Sequence, residues 1–369
     1  MASDSTKVDS SDRIIDLFAG PGGLDVGAAW LGIPATGIES DENACSTRLN
    51  AGLGTVLGDV RNFGPDDFAD ATILTGGPPC QTFTVAGSGS GRRALDEVVR
   101  HVHELETSQP THRKHSDFSD DRTALVLEPL RWALLAARAA RPYRAIVLEQ
   151  VQTVLPVWDA YKEVLERIGY NVAVGTLRAE EYGVPQTRRR AILVARLGDQ
   201  KALLPEPTHT AFRKGAPQQE ALDLQPWVSM GKALRTGSAF TVVSNYGSGG
   251  DPKKRGERHS AEPAATVTGK VTRNRLLHAN GEATRLSHHD AGILQTFPRD
   301  YPWSGKDIGQ QIGNAIPPRL GVHILAAALG IPVDPVELDR VVHSSWEAGR
   351  ENPIRPTGPE LQEAADARA

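Results

Sequence analysis

Cysteine is scarce in this chain, and no long hydrophobic run occurs in it. Only 2 of its 369 residues are cysteine, too few for a disulfide framework or for a zinc site with four thiolate ligands. The sequence has no charged and then apolar leader and no apolar stretch of membrane-spanning length, so neither export nor membrane insertion is indicated. We therefore expect a reduced, cytoplasmic protein that does not bind membranes.

A large net charge is also missing, since the formal value is -4 at pH 7. Spread evenly, this charge would argue against a polyanionic partner, but phosphate binding needs positive potential only where the phosphate lies. A solvated surface is the alternative explanation for any single basic cluster. Such clusters occur at residues 92–93, 113–115, 188–190, 253–255 and 273–275.

Strand-like and helical segments alternate from Arg13 onward. Residues 14–18 are apolar except for Asp16, and a glycine loop follows them. An amphipathic segment at 24–31 then leads to a second strand-like run at 35–39, which ends in Glu39. This order is typical of a βαβ unit. Similar alternation continues to about residue 200, which predicts an α/β fold with a doubly wound, mostly parallel sheet.

The alternation stops near residue 200, where proline, glycine, threonine, serine and basic residues become frequent. We interpret this change of composition as a second, smaller domain. The predicted division is a disordered N-terminus at 1–12, an α/β domain at 13–200, the small domain at 201–284, a return to the α/β domain at 285–346 and a polar tail at 347–369.

The glycine loop at 19–23 predicts a binding site for an anionic group, because backbone amides and a helix N-terminus approach a ligand closely there. Glu39 lies 19 positions after Gly20, close to the offset of about 20 at which a carboxylate reaches ribose hydroxyls. Asp59 can accept from an exocyclic amine such as that of adenine. The glycine spacing fits neither a phosphate loop nor a dinucleotide loop, whereas an amino-acid carboxylate on a nucleoside fits, which describes S-adenosyl-L-methionine. A tight turn without a ligand is the alternative for the loop alone.

Cys80 and Glu149 are the candidate reactive side chains. Cys80 follows a strand-like segment at 71–75 and the sequence Gly-Gly-Pro-Pro, which cannot continue a central strand, so the thiol should emerge at the carboxyl edge of the sheet. Glu149 ends another apolar segment, at 145–148, and should emerge at the same edge. The alternatives are a buried, unreactive thiol and a solvated strand end.

Three consecutive arginines begin a further strand at 188–190. Because side chains alternate along a strand, Arg188 and Arg190 should share one face while Arg189 takes the other. A solvated or phosphate-facing edge is the usual role of such a run.

Five motifs in this order resemble those of the DNA cytosine-5 methyltransferases: residues 16–23, 76–81, 149–151, 186–190 and 313–318. The resemblance implies a Rossmann-like, S-adenosylmethionine-dependent methyltransferase with a smaller target-recognition domain. It implies that Cys80 attacks cytosine C6, that Glu149 contacts the ring N3, and that Arg190 lies near O2 with support from Arg188. It implies a methyl-donor pocket formed by Asp16, Phe18, Ala19, Gly20, Gly22, Gly23, Glu39, Asp59, Val60, Pro78 and Asn314.

The resemblance implies a flipped cytosine in double-stranded DNA as substrate and no metal. We also expect a monomer, and a cognate restriction endonuclease is a candidate partner that the sequence alone does not decide. The thiol should be partly ionised and the glutamate able to hold a proton, so their environments should tune them in opposite directions. Residues able to read major-groove edges are frequent in the small domain, although phosphate contact or solvation is the alternative for each. They are Arg235, Asn245, Lys253, Lys254, Arg255, Arg258, Arg273 and Asn274.

The sequence departs from the family pattern at one position near Glu149, and two other functions are considered for the same fold. Gln150 stands where the family usually has asparagine, which leaves the hydrogen bonding behind Glu149 undecided. A relative that methylates a tRNA cytosine would generally carry a Cys-Phe-Thr element in the small domain, and this chain has no cysteine after Cys80. A catalytically silent DNA-binding regulator would be expected to lose Cys80 or Glu149.

Overall fold

The computed structural model describes residues 9–79, 89–107, 124–218, 221–247 and 255–354. Its strands are β1 (Ile14–Leu17), β2 (Ala35–Glu39), β3 (Gly54–Leu57), β4 (Ile73–Gly76), β5 (Ala145–Val151), β6 (Tyr170–Arg178), β7 (Gln186–Thr187), β8 (Arg189–Leu197), β9 (Phe240–Gly247), β10 (Arg255–His259), β11 (Ala264–Ala265), β12 (Arg275–His278) and β13 (Ala283–Arg285). Its helices are α1 (Gly23–Trp30), α2 (Glu42–Asn50), α3 (Gly89–Thr107), α4 (Glu128–Arg138), α5 (Leu155–Arg167), α6 (Met230–Leu234), α7 (His288–Leu294), α8 (Ile308–Asn314), α9 (Pro318–Leu329), α10 (Pro335–His343) and α11 (Trp346–Glu351).

The large sheet has seven strands in the order β3-β2-β1-β4-β5-β8-β6. Strands β1 to β5 pair in parallel, and β8 runs antiparallel to both β5 and β6. The predicted α/β fold with a mostly parallel sheet is confirmed. Strand order reverses beside β1, and ligands of open α/β sheets bind at the carboxyl ends of strands at such a point.

Both faces of this sheet are covered, which explains why its strands are apolar runs rather than alternating ones. Ile14 and Ile73 face a core shared with α1, α9 and α10. Their neighbours Ile15 and Leu74 face a second core shared with α3, α4 and α5. Helices on both faces make the sheet doubly wound, as predicted.

The second sheet is antiparallel, with the strand order β10-β9-β12-β13. Its own core joins Phe240 and Leu276 to Met230 of α6 and to Leu294 of α7. The short parallel pair β7 and β11 links it to the start of β8. These strands fall between residues 240 and 285, where the composition changes.

Both predicted terminal boundaries need correction. Asp12, placed in a disordered N-terminus, is buried and pairs with Arg144 at 2.7 Å. Residues from Glu347 were predicted to form a polar tail, but α11 continues to Glu351, and Ile354 is buried with its amide donating to the Trp30 carbonyl at 2.7 Å. Residues 1–8 and 355–369 lie outside the described part of the chain.

Candidate active site

A cavity of about 470 Å³ opens where β1, β2, β4 and β5 end. It brings together two groups of predicted residues that lie far apart in the sequence. Three of the residues predicted to act on the base line it: Glu149, Arg188 and Arg190. Nine of the residues predicted to hold the methyl donor also line it: Asp16, Phe18, Ala19, Gly20, Gly23, Glu39, Asp59, Val60 and Asn314. Cys80 lies outside the described residues, but its neighbour Pro79 lines this cavity.

Gly22 and Pro78 were predicted in the donor pocket and do not line the cavity. Gly22 has a positive φ of 101°, and a Cβ there would lie 2.4 Å from Leu53 Cδ1. Glycine is therefore needed at position 22 because Leu53 packs closely against the loop there, not because the residue contacts a ligand. Pro78 instead presents its carbonyl oxygen to Gln150.

The glycine loop is open towards the cavity and crowded behind it. Gly20 has φ of 53° and no atom within 4 Å of where a Cβ would lie. A Cβ on Gly23, by contrast, would lie 2.2 Å from the Ile316 carbonyl oxygen. The last motif thus packs against the first one, and Asn314, whose Oδ1 accepts from Gln310 Nε2 at 2.7 Å, reaches the same cavity.

The carboxylates of Glu39 and Asp59 are held at the cavity edge by hydrogen bonds. Glu39 Oε2 accepts from the Gly20 amide at 2.7 Å, and Oε1 accepts from the amides of Ser40 and Asp41 at 2.8 Å. Asp59 Oδ1 accepts from Arg61 Nε at 2.8 Å and from the Arg61 amide at 2.9 Å. Glu39 Oε2 keeps a lone pair for a ligand, whereas both Asp59 oxygens already accept from Arg61, so a ligand there would compete with that side chain.

A buried ion pair supports the loop from below, and the sequence-based predictions missed it. Arg48 Nη1 and Nη2 each donate to Asp25 at 2.8 Å, and neither side chain is exposed. Arg48 Nη2 also donates to the Gly54 carbonyl at 2.8 Å, so α1, α2 and β3 are tied together. The available signal was an aspartate inside the otherwise apolar segment at 24–31.

Asp16 lies against this pair and is itself buried. Burial raises its pKa well above the usual value, Asp25 raises it further, and a 2.6 Å hydrogen bond from Thr75 opposes the shift. Asp16 therefore lines the cavity and also contacts the buried groups beneath it.

Glu149 is 7% exposed and forms an ion pair with Arg190, whose Nε lies 2.7 Å from Glu149 Oε1. Both residues come from paired strands, β5 and β8. The loop before Cys80 passes close by, since a Cβ on Gly77 would lie 3.7 Å from Glu149 Oε2. A desolvated carboxyl group beside a guanidinium at a cavity is typical of a reactive site.

Gln150 bridges the two strand ends that carry the candidate reactive groups. Its Nε2 donates to the Pro78 carbonyl, and its Oε1 accepts from the Val151 amide at 2.5 Å. Pro78 is two residues before Cys80. The residue that departs from the family pattern therefore connects β5 to the cysteine-bearing loop.

Arg188 was predicted to act in support of Arg190, and it lines the same cavity. It is buried, and it donates to the carbonyls of Val267, Gly313 and Ala315 at 3.0 to 3.2 Å. Burial, and then the nearby Arg190, lower its pKa to about 9. Its guanidinium is still cationic at pH 7 and joins three segments around the cavity.

The predicted base-reading residues are spread over several places. Arg258 lies over the Phe212 ring, 4.8 Å from its centroid, in a cleft of about 410 Å³ that also contains Arg189, Arg190 and Lys214. Asn274 Oδ1 accepts from the Asn245 amide at 3.1 Å. Arg235 lines another cavity, and Lys253 and Lys254 lie outside the described residues.

Within the described ranges, no helix is long and apolar enough to cross a membrane, and no group of three or more potential metal ligands occurs.

The amino-acid sequence matches a known protein family. A family model described as C-5 cytosine-specific DNA methylase matches residues 13–226. The chain is 28% identical over 354 residues to the Type II methyltransferase M1.HphI of Haemophilus parahaemolyticus, covering 85% of this chain and 86% of that protein. It is 31% identical over 256 residues to DNA (cytosine-5)-methyltransferase 1 of Mus musculus, covering 63% of this chain and 14% of that protein.

Solved structures share the fold. The crystal structure of the S. pombe Dnmt2 methyltransferase aligns with a TM-score of 0.56 and 17% identity, covering 86% of this chain and 98% of that chain. A Spodoptera frugiperda DNMT2 variant aligns with a TM-score of 0.57 and 13% identity, covering 86% and 99%.

Proposed function

The chain belongs to the C-5 cytosine-specific DNA methylase family, and from that premise we propose that it flips a cytosine out of a specific duplex DNA sequence and methylates C5 through a covalent bond between Cys80 and C6. It is a DNA (cytosine-5)-methyltransferase of the Type II restriction-modification kind. One observation carries the finer proposal: Glu149, Arg190 and the residue before Cys80 share a cavity with the glycine loop, Glu39 and Asp59.

The donor half of the cavity fits S-adenosyl-L-methionine. The free space over Gly20 gives an amino-acid carboxylate access to loop amides and to the N-terminus of α1. Glu39 would accept from the ribose hydroxyls, and Asp59 from the adenine amine. When bound, the donor supplies an electrophilic methyl group on a sulfonium centre.

The reaction proceeds by addition and elimination on the pyrimidine ring. The Cys80 thiolate forms a bond to C6 while Glu149 hydrogen-bonds or donates to N3, which makes C5 nucleophilic enough to take the methyl group. Transfer of the methyl group leaves the donor sulfur as a neutral thioether. Loss of the C5 proton to water, return of any N3 proton to Glu149 and cleavage of the Sγ–C6 bond then restore the aromatic ring and the thiolate. Arg190, which pairs with Glu149 in the structure, would turn to the base O2 and release the carboxyl group for N3.

Base flipping follows from the burial of the reactive groups. Glu149 is 7% exposed at the floor of a cavity, so a cytosine stacked in a duplex cannot reach it. Extruding the base costs about a few kcal/mol, which the cavity contacts offset.

We assign target recognition to the small domain at 201–284. The cleft with Arg189, Lys214, Arg258 and Phe212 shares Arg190 with the reactive cavity. This continuity of positive charge supports a path for the DNA backbone up to the flipped base. Duplex DNA is the substrate in this proposal, a cognate endonuclease is its partner in the cell, and the enzyme acts as a monomer.

Transfer of labelled methyl groups from S-adenosyl-L-methionine tests the proposal. The purified protein should label duplex DNA and not tRNA, and a Cys80→Ser variant should label neither. Bisulfite sequencing of the product should show modified cytosines at one short sequence. Labelling of tRNA alone, or equal labelling by the Cys80→Ser variant, would refute the assignment.

A further inference from the structure

A second cavity, of about 710 Å³, lies apart from the reactive one. Its walls come from residues 207–235, from the segment after α7, and from α9 and α10. It shares no lining residue with the reactive cavity. Its volume is within the range of about 300 to 1,000 Å³ that is typical of small-molecule sites.

The floor of this cavity holds buried polar groups, one of which lacks a hydrogen-bond partner. His323 is 7% exposed, and its Nε2 has no hydrogen-bond partner among the described residues. Arg319 lies beside it and donates through Nε to the Tyr182 carbonyl at 2.7 Å and through Nη1 to Asp339 at 2.5 Å. A buried polar atom without a partner is rare in folded proteins and marks a place where a ligand can complete the bonding.

His209 joins this floor group. A Cβ on Gly183 would lie 2.7 Å from His209 Cε1 and 2.8 Å from Arg319 Nε, so glycine allows the imidazole and the guanidinium to converge. Burial and the nearby Arg319 lower the pKa of His209 to about 4 and that of His323 to about 3. Both rings are therefore neutral at pH 7, and Arg319 is the cation of the floor.

The rim adds further positive charge. Lys232 and Arg235 are exposed, and neither forms an ion pair with a described residue. Arg299 also lines the rim, where its Nη2 donates to the Ala233 carbonyl at 3.2 Å. Asp223 and Asp339 are the acidic residues of the lining, and Asp339 is paired with Arg319, so the four cations Lys232, Arg235, Arg299 and Arg319 outnumber the two acids.

Apolar side chains line the same cavity. Phe297 and Leu338 are buried beneath it, and Trp227 stands at its side. We propose that this cavity is a second ligand site that takes a small organic anion, with its acidic group between Lys232 and Arg319 and its apolar body against Phe297 and Leu338. This inference does not depend on the proposed reaction at Cys80.

A matched pair of dyes tests this assignment on the full chain. The anionic probe is 8-anilinonaphthalene-1-sulfonate, and its uncharged counterpart is N-phenyl-1-naphthylamine, which has the same aromatic body. Fluorescence titration should show one saturable site for the anion. Affinity for the anion should fall about tenfold in the double variant Lys232→Met/Arg235→Met, while affinity for the uncharged dye should stay the same.

Two further variants complete the test. Lys201→Met/Lys306→Met removes the same charge from exposed positions outside the cavity, and should leave both affinities unchanged. His323→Phe keeps a ring beside Tyr182 but removes Nε2, and should weaken binding of the anion about fivefold. No saturable binding, an equal loss of both dyes in the rim variant, or a loss as large in the Lys201→Met/Lys306→Met control would overturn the assignment.

Discussion

Among single residues, Glu149 is the proposed partner of the base N3. Glu149→Gln removes the proton-carrying carboxyl group, so we expect kcat for methyl transfer to fall by about 100-fold to 10,000-fold. Single-turnover transfer to DNA measures this loss.

Glu128→Gln is its matched control. Glu128 is also buried, at 8% exposed, and also paired with an arginine, Arg131, at 2.7 Å, but it lies in α4 and does not line the reactive cavity. Its neutralisation should leave kcat within about twofold, because only the general structural cost of a broken pair applies. Equal losses in the two variants would show that Glu149 has only a structural role.

Gln150 gives a second prediction at this scale. Its amide ties the Pro78 carbonyl to the end of β5, and small displacements of a reactive group reduce rates strongly. Gln150→Leu should therefore lower kcat by about tenfold without changing KM for DNA.

Gln150→Asn tests whether the reach of the side chain matters. The amide is one methylene shorter, so it should not restore the contact with Pro78, and kcat should stay low. Full activity in Gln150→Asn would contradict the positioning role that the longer side chain has in this chain.

At the scale of elements, the packing of β1, β2, α1 and α2 depends on the space that Gly37 leaves for Arg48. A Cβ on Gly37 would lie 2.1 Å from Arg48 Nη2 and 2.4 Å from Ala19 Cβ. Since the guanidinium is fully buried and bound to Asp25, it cannot move aside. Gly37→Ala should lower the free energy of unfolding by about 3 kcal/mol in urea titration.

Gly256→Ala is the control for this prediction. Gly256 is also a strand residue, in β10, and no atom lies within 4 Å of where its Cβ would be. Its substitution should change stability by less than about 0.5 kcal/mol. Equal stability of Gly37→Ala and the unsubstituted protein would mean that the Arg48 pair does not constrain the sheet.

At the scale of the whole molecule, acid stability is linked to the packing of α9 against the core. Burial, and then the nearby Arg319 and His209, lower the pKa of His323 from 6.5 to about 3. The unfolded chain therefore binds a proton at His323 below pH 6.5 that the folded protein does not bind. The contribution of neutral His323 to the free energy of unfolding is present above pH 6.5 and is lost as the pH falls. Between pH 7 and pH 5 the loss is about 2 kcal/mol.

Urea unfolding at the two pH values checks this linkage. In His323→Phe the loss of stability between pH 7 and pH 5 should be smaller by that amount, while exposed His289→Phe should keep the full loss. An unchanged pH dependence in His323→Phe would show that another group controls it.

The sequence predicted the fold and most of the cavity because their signals are local. Apolar runs, the glycine loop and the acidic residues after β2 and β3 have fixed spacing along the chain, and nine of the eleven predicted donor residues line the cavity. Contacts between distant segments could not be predicted in this way. The pair of Arg48 with Asp25, the hydrogen bonds of Arg188 to Val267 and Gly313, and the packing of Trp346 on Ala51 depend on tertiary structure.

Trapping the pyrimidine on the enzyme tests for the proposed bond between Cys80 and C6. Fluorine at C5 cannot leave as a proton does, so the bond between Cys80 and C6 should persist after methyl transfer to 5-fluorodeoxycytidine. With S-adenosyl-L-methionine and duplex DNA of random sequence containing this nucleotide, we expect a denaturation-resistant protein–DNA adduct at Cys80 that is absent in Cys80→Ser. Methylation of ordinary duplex DNA without any such adduct would contradict the account.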